Sequence, residues 1–141
     1  LALNGEAGIA SSAYNALNEH PTGSLSTLFI SLAGFTRGLS PASLVWDIPS
    51  QSGPEASTRF SGEYQGPIRL RMALANDYLA PFQTMINQVG VENIRWITEQ
   101  MGISPPRAEP EKPDSVLDVL GPMSLVEISQ STGVFAAQGL L

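Results

Sequence analysis

From Gly23 onward, Leu25, Leu28, Phe29, Leu32 and Phe35 recur at three- and four-residue steps and stop at Gly38, which predicts a helix with one apolar face. Upstream, small residues flank Asn4-Gly5, a hairpin-turn signal, and predict two short strands over about 1–15. "SPASLVWDIPS" has a β-branched and aromatic centre between Pro41 and Pro49, the pattern of an extended segment. "QSGPEASTRFSGEYQG" is polar and glycine-bearing, and reads as a loop.

Pro67 suits the first turn of a second helix, where its missing N–H is not needed, and Leu70, Ala73 and Leu74 give that helix a buried stripe as far as about Leu79. Pro81 opens a third helix with Phe82, Met85, Ile86 and Val89 inward and Gly90 as its stop. Val91, Ile94, Ile97 and Met101 repeat the pattern up to Gly102. "SPPRAEPEKPD" is a solvated loop by its prolines and charges. Ser124 and Glu127 then have the spacing of a capping box, at the head of a last helix with Leu125, Val126, Ile128 and Phe135.

Composition narrows the possible functions. At 141 residues the chain suits one domain, a fragment spanning 1–141 with strands over about 1–15 and a helical lobe over about 23–141. Charged residues are only 14% against 43% apolar, so part of the surface is expected to be covered by a partner or by missing structure. Seven basic and thirteen acidic residues give a net charge of −6 with no basic cluster, which argues against nucleic acid as a partner. With no cysteine, thiolate nucleophiles and Cys-type zinc sites are excluded. The longest apolar run, Leu28 to Phe35, is far short of the ~20 residues that span a bilayer. The chain starts at Leu1 with no leader pattern, so excision from a longer protein is expected.

Three stretches, in order, resemble the transpeptidase domain of penicillin-binding proteins of the class A type. "PTGSLSTLFISLAGFTRGLSPASLVWDIP" is similar to the family's Pro-Gly-Ser-x-x-Lys, helix, Gly-x-Ser-Pro and Val-x-Asp-x-Pro pattern. "GPIRLRMALANDYLAPF" resembles its Leu-Arg-x-Ala-Leu helix with a Ser-x-Asn motif, and "LGPMSLVEISQSTGVFAAQG" resembles a later Leu-Gly…Phe-Ala-x-x-Gly segment. The resemblance covers about Ala7 to Leu141. It implies an α+β fold, a helix-rich part of the penicillin-binding-protein or serine β-lactamase-like fold with an incomplete antiparallel sheet.

The resemblance also implies positions where the family's chemistry is replaced. The family's Ser-x-x-Lys falls on Ser24, Leu25, Ser26 and Thr27, so the nucleophile position keeps its serine while the lysine position holds Thr27. The Ser-x-Asn pair falls on Asp77 and Leu79. A serine hydroxyl is a weak nucleophile until a base takes its proton, and a threonine has no basicity near neutral pH to do so. Asp77 is the one carboxylate that could serve as a substitute base, although it would repel the carboxylate-bearing peptides and β-lactams bound at such sites. The family's Lys-Thr-Gly or Lys-Ser-Gly strand, which helps build an oxyanion hole, has no counterpart in the sequence.

These residues also have plainer readings. Ser24 before an apolar helical run is a favoured N-cap, and Asp77 is a solvated carboxylate near a helix end. His20, the only histidine, and Glu19 are weak grounds for a metal site, and a surface loop suits His20 better. Trp46 and Trp96 sit in apolar patterns and read as packing residues, whereas Phe60 and Tyr64 could form an interaction edge.

The sequence therefore supports a catalytically degenerate transpeptidase-like domain acting as a structural or protein-interaction module, with no cofactor and no metal. The alternative is an active acyl-serine D,D-transpeptidase or carboxypeptidase with Ser24 as nucleophile, completed by a missing C-terminal part. Expected partners are a protein or second chain that completes the fold, and a peptidoglycan stem peptide. The implied location is extracytoplasmic, with any anchor outside this chain. An unfinished sheet edge predicts that the chain is not a free monomer.

Overall fold

The structure, a computed structural model, describes residues 17–49, 63–103 and 116–137. The strands expected over 1–15, Phe60 and most of its loop, and the proline-rich stretch after Ile103 lie outside the described residues. The elements run β1 (Glu19–Pro21), a 3₁₀ turn (Gly23–Leu25), α1 (Ser26–Thr36), β2 (Leu44–Asp47), β3 (Gly66–Arg69), α2 (Leu70–Ala75), α3 (Leu79–Val89) and α4 (Val91–Gln100). A second 3₁₀ turn (Val116–Asp118), β4 (Pro122–Ser124) and α5 (Leu125–Ala136) complete them.

α1 is the central helix and packs against both α3 and α4. Its buried side is Phe29, Ile30, Ala33 and Gly34, with Leu28 and Leu32 at the margin, while Leu25 and Phe35 of the expected stripe reach solvent. Buried hydroxyls are accommodated because each finds a carbonyl one turn back, as when Ser31 Oγ donates to Thr27 O at 2.7 Å. At Gly34 the chain runs close to its neighbours, since a Cβ there would stand 2.9 Å from side-chain atoms of Leu39 and Met85. Gly38, at φ 92, ends the helix in a backbone conformation that glycine adopts at little cost.

α3 and α4 follow the sequence pattern closely. Phe82, Met85, Ile86 and Val89 of α3 and Ile94 and Ile97 of α4 are buried, as is Met101 just past α4, and Gly90 at φ 85 forms the joint between the two helices. These side chains share one apolar core with Phe29 and Ile30 of α1 and with Val116, Val119, Leu120 and Met123.

The expected helix from Pro67 to about Leu79 is not formed as one element. Pro67 lies in β3, opposite Trp46 in an antiparallel ribbon that pairs Leu44 with Arg69 and Val45 with Ile68. In a two-stranded ribbon every strand is an edge, so a residue without an N–H is tolerated there. Helical structure then stops at Ala75 because Asp77 takes a left-handed conformation at φ 54 and Tyr78 is extended. α3 restarts at Leu79, with Pro81 inside its first turn where a missing N–H leaves no intrahelical bond unmade.

Other departures concern the surface. Trp46 and Trp96, expected to pack inside, are 59% and 56% exposed, because both fall on the outward side of their elements. His20 lies in exposed β1 rather than in a loop. α5 has its capping box, with Ser124 Oγ accepting from Glu127 N and the Glu127 carboxylate accepting from Ser124 N. Its apolar residues are less buried than its pattern predicts: Leu125 and Phe135 are exposed, and Phe135 meets Phe29 with ring centroids 6.3 Å apart. No helix among the described residues is long and apolar enough to cross a membrane.

Candidate functional site

The site is built where β1 leads into α1. β1 pairs antiparallel with β4, Glu19 opposite Ser124 and Pro21 opposite Pro122, so the approach to Ser24 is fastened to a segment about a hundred residues later. Thr22 Oγ1 donates to Gly121 O at 2.6 Å and strengthens the same join. Gly23, at φ 58, turns the chain into the 3₁₀ turn that carries Ser24.

Ser26 supplies a third fastening. It is fully buried, and its hydroxyl is shared between Gly23 O at 2.9 Å and Val116 O at 2.5 Å. Sequence reasoning passed over Thr22 and Ser26. The available signal was four hydroxyl residues within "TGSLST" at a helix start, where side-chain oxygens compete for backbone groups.

Ser24 itself is half-buried within the 3₁₀ turn. Its expected role as an N-cap is not realised: the residue capping α1 is Leu25, in helical conformation and without a side-chain bond. Helical geometry extends back through the 3₁₀ turn, so Ser24 is inside it rather than at an extended capping position.

Thr27 is 4% exposed, one turn further on, and its Oγ1 donates to the Ser24 backbone carbonyl at 2.7 Å. The structure therefore brings Ser24 and Thr27 together, but the contact is from hydroxyl to main chain. It orders the turn and offers the Ser24 hydroxyl no base.

Asp77 is exposed at the α2–α3 turn, and Leu79 begins α3, half-buried against the core. A left-handed conformation is several-fold enriched in Asp and Asn among non-glycine residues, which gives Asp77 a backbone reason to be present. Leu79 adds apolar surface where an amide would add hydrogen-bonding capacity. α1 packs on α3, yet among the described residues no hydrogen bond joins the Asp77 carboxylate to Ser24. The chain's one lysine, Lys112, lies outside the described residues, and no group of three or more potential metal ligands is found among them.

No protein-family model matches this chain. No curated protein matches it either. Solved structures do. The penicillin-binding protein PonA1 of Mycobacterium tuberculosis superposes with a TM-score of 0.71 at 18% identity, over 89% of this chain and 36% of that one. Penicillin-binding protein A of M. tuberculosis, solved as an imipenem acyl-enzyme complex, gives 0.70 at 18% identity over 92% of this chain and 36% of its own. Penicillin-binding protein 1A of Haemophilus influenzae gives 0.69 at 21% identity over 89% and 19%. The chain thus has the fold of a part of the penicillin-binding proteins, and it spans about a third or less of the length of each. The expected helix-rich α+β class, with small antiparallel sheets, is observed.

Proposed function

We propose that this chain is a catalytically degenerate transpeptidase-like domain that acts as a structural or protein-interaction module in a peptidoglycan context, outside the cytoplasmic membrane. The observation that carries the reading is Thr27: the side chain one turn after Ser24 is a buried hydroxyl directed to the Ser24 carbonyl. A positioned base contributes about 10²–10⁴-fold to such a reaction, and no side chain hydrogen-bonded at this helix start can remove a proton at neutral pH. Asp77 and Leu79 support the same reading, because neither reproduces the hydroxyl and amide of a Ser-x-Asn pair. On this account the partner is a protein or second chain that completes the fold, and a stem peptide can still bind without reacting.

Intact-mass spectrometry after incubation with a reactive penicillin tests the proposal, with Ser24→Ala beside the parent and circular dichroism showing both folded. The expected result is no adduct on either protein. An adduct of one drug mass on the parent, absent from the variant, would overturn the proposal in favour of an acyl-serine enzyme.

A further inference from the structure

The β2–β3 ribbon presents an outer face that nothing in the catalytic comparison uses. Alternation along β2 turns Val45 and Asp47 inward and leaves Leu44 and Trp46 outside, 62% and 59% exposed, with Ile48 following at 49%. The register places Pro67 opposite Trp46 and Arg69 opposite Leu44, so these side chains share the outer face. The one acidic side chain in the two strands, Asp47, is fully buried on the other side, where its Oδ2 accepts from Gln65 N at 2.9 Å.

Positive charge gathers at one end of this face. Arg69 Nη1 donates to Ala42 O and Arg71 N donates to Pro41 O, which fastens the loop that starts at exposed Arg37 to the start of α2. Arg69 and Arg71, two of the four arginines among the described residues, therefore lie at the Leu44 end, in a chain whose net charge is −6.

We propose that this face docks on an anionic lipid surface, with Trp46, Leu44 and Ile48 entering the headgroup boundary and Arg69 and Arg71 against lipid phosphates. An exposed tryptophan beside aliphatic side chains, with arginines at one end and no carboxylate on that face within the two strands, fits the chemistry of a membrane interface. Area decides against a protein occupant. The apolar face offers on the order of 400 Å², about half of the ~800 Å² each partner contributes to a stable protein interface. A lipid surface needs neither that area nor a complementary shape. The proposal stands independently of whether Ser24 reacts.

The test uses the chain with Trp96→Phe, so that Trp46 alone reports, mixed with vesicles of phosphatidylcholine alone or with added phosphatidylglycerol. The expected result is a blue shift of Trp46 emission and co-sedimentation with the anionic vesicles only, weakened by salt. Trp46→Thr, which keeps an exposed strand position filled by a strand former, should lower binding by at least about tenfold. Arg71→Gln should lower it by about fivefold. Failure of the folded parent to bind anionic vesicles would overturn the proposal. So would equal binding to neutral vesicles, or a concentration-dependent dimer that Trp46→Thr abolishes without any vesicle binding.

Discussion

Replacing Ser26 by alanine removes one buried hydroxyl and the link it makes across ninety residues of sequence. The parent oxygen is fully buried and lies 2.5 Å from Val116 O and 2.9 Å from Gly23 O, so one group ties the start of α1 to the turn that carries Val116. A typical hydrogen bond contributes about 1 kcal/mol net, and a loss that leaves a buried group unpaired costs about 1–3 kcal/mol. With two acceptors facing one donor in the core, the expected loss is about 2 kcal/mol. In urea unfolding, a slope of about 2 kcal/mol per M converts this to a midpoint lower by about 1 M. Ser24→Ala is the internal comparison: the Ser24 hydroxyl has no hydrogen bond among the described residues, so its removal should change stability by less than about 0.5 kcal/mol. A Ser26→Ala midpoint within about 0.2 M of the parent, or an equal loss from Ser24→Ala, would refute the assignment of Ser26 as the fastening group.

Phe82→Ala, at a fully buried position of α3, should cost about 3–5 kcal/mol in the same unfolding assay, because it opens a cavity in the shared core. Ser124→Ala removes the capping oxygen of α5 and should cost about 1 kcal/mol, seen as a lower thermal midpoint. Asp77→Gly should leave stability unchanged or slightly raised, whereas Asp77→Val should lose about 1–2 kcal/mol, since a β-branched residue resists the φ of 54. If both Asp77 variants unfold at the same urea concentration, backbone conformation does not explain the residue.

Local rules accounted for much of the structure. The stripes of α3 and α4, their shared glycine joint and the capping box of α5 are decided within a few residues, by side-chain spacing and nearby hydrogen bonds. The residue types at the positions that resemble the family's motifs, Thr27, Asp77 and Leu79, were equally legible, because a residue's chemistry is fixed whatever surrounds it. Pro67 marks the limit of such reasoning. A proline ahead of an apolar stripe suits a helix start, but pairing with β2 held it in a strand, and that pairing is non-local.

The sequence by itself determined the helix-rich class, the main apolar faces and the threonine three residues after Ser24, since each depends on residue type and near spacing. Only the tertiary structure decided that Ser24 sits inside a 3₁₀ turn, that Ser26 rather than Ser24 is the anchoring serine, and that Trp46 faces outward. Those outcomes depend on which distant segments meet, β1 with β4 and Ser26 with Val116. Such contacts are set by burial and by satisfying backbone groups across the whole core, and no short window of sequence contains them.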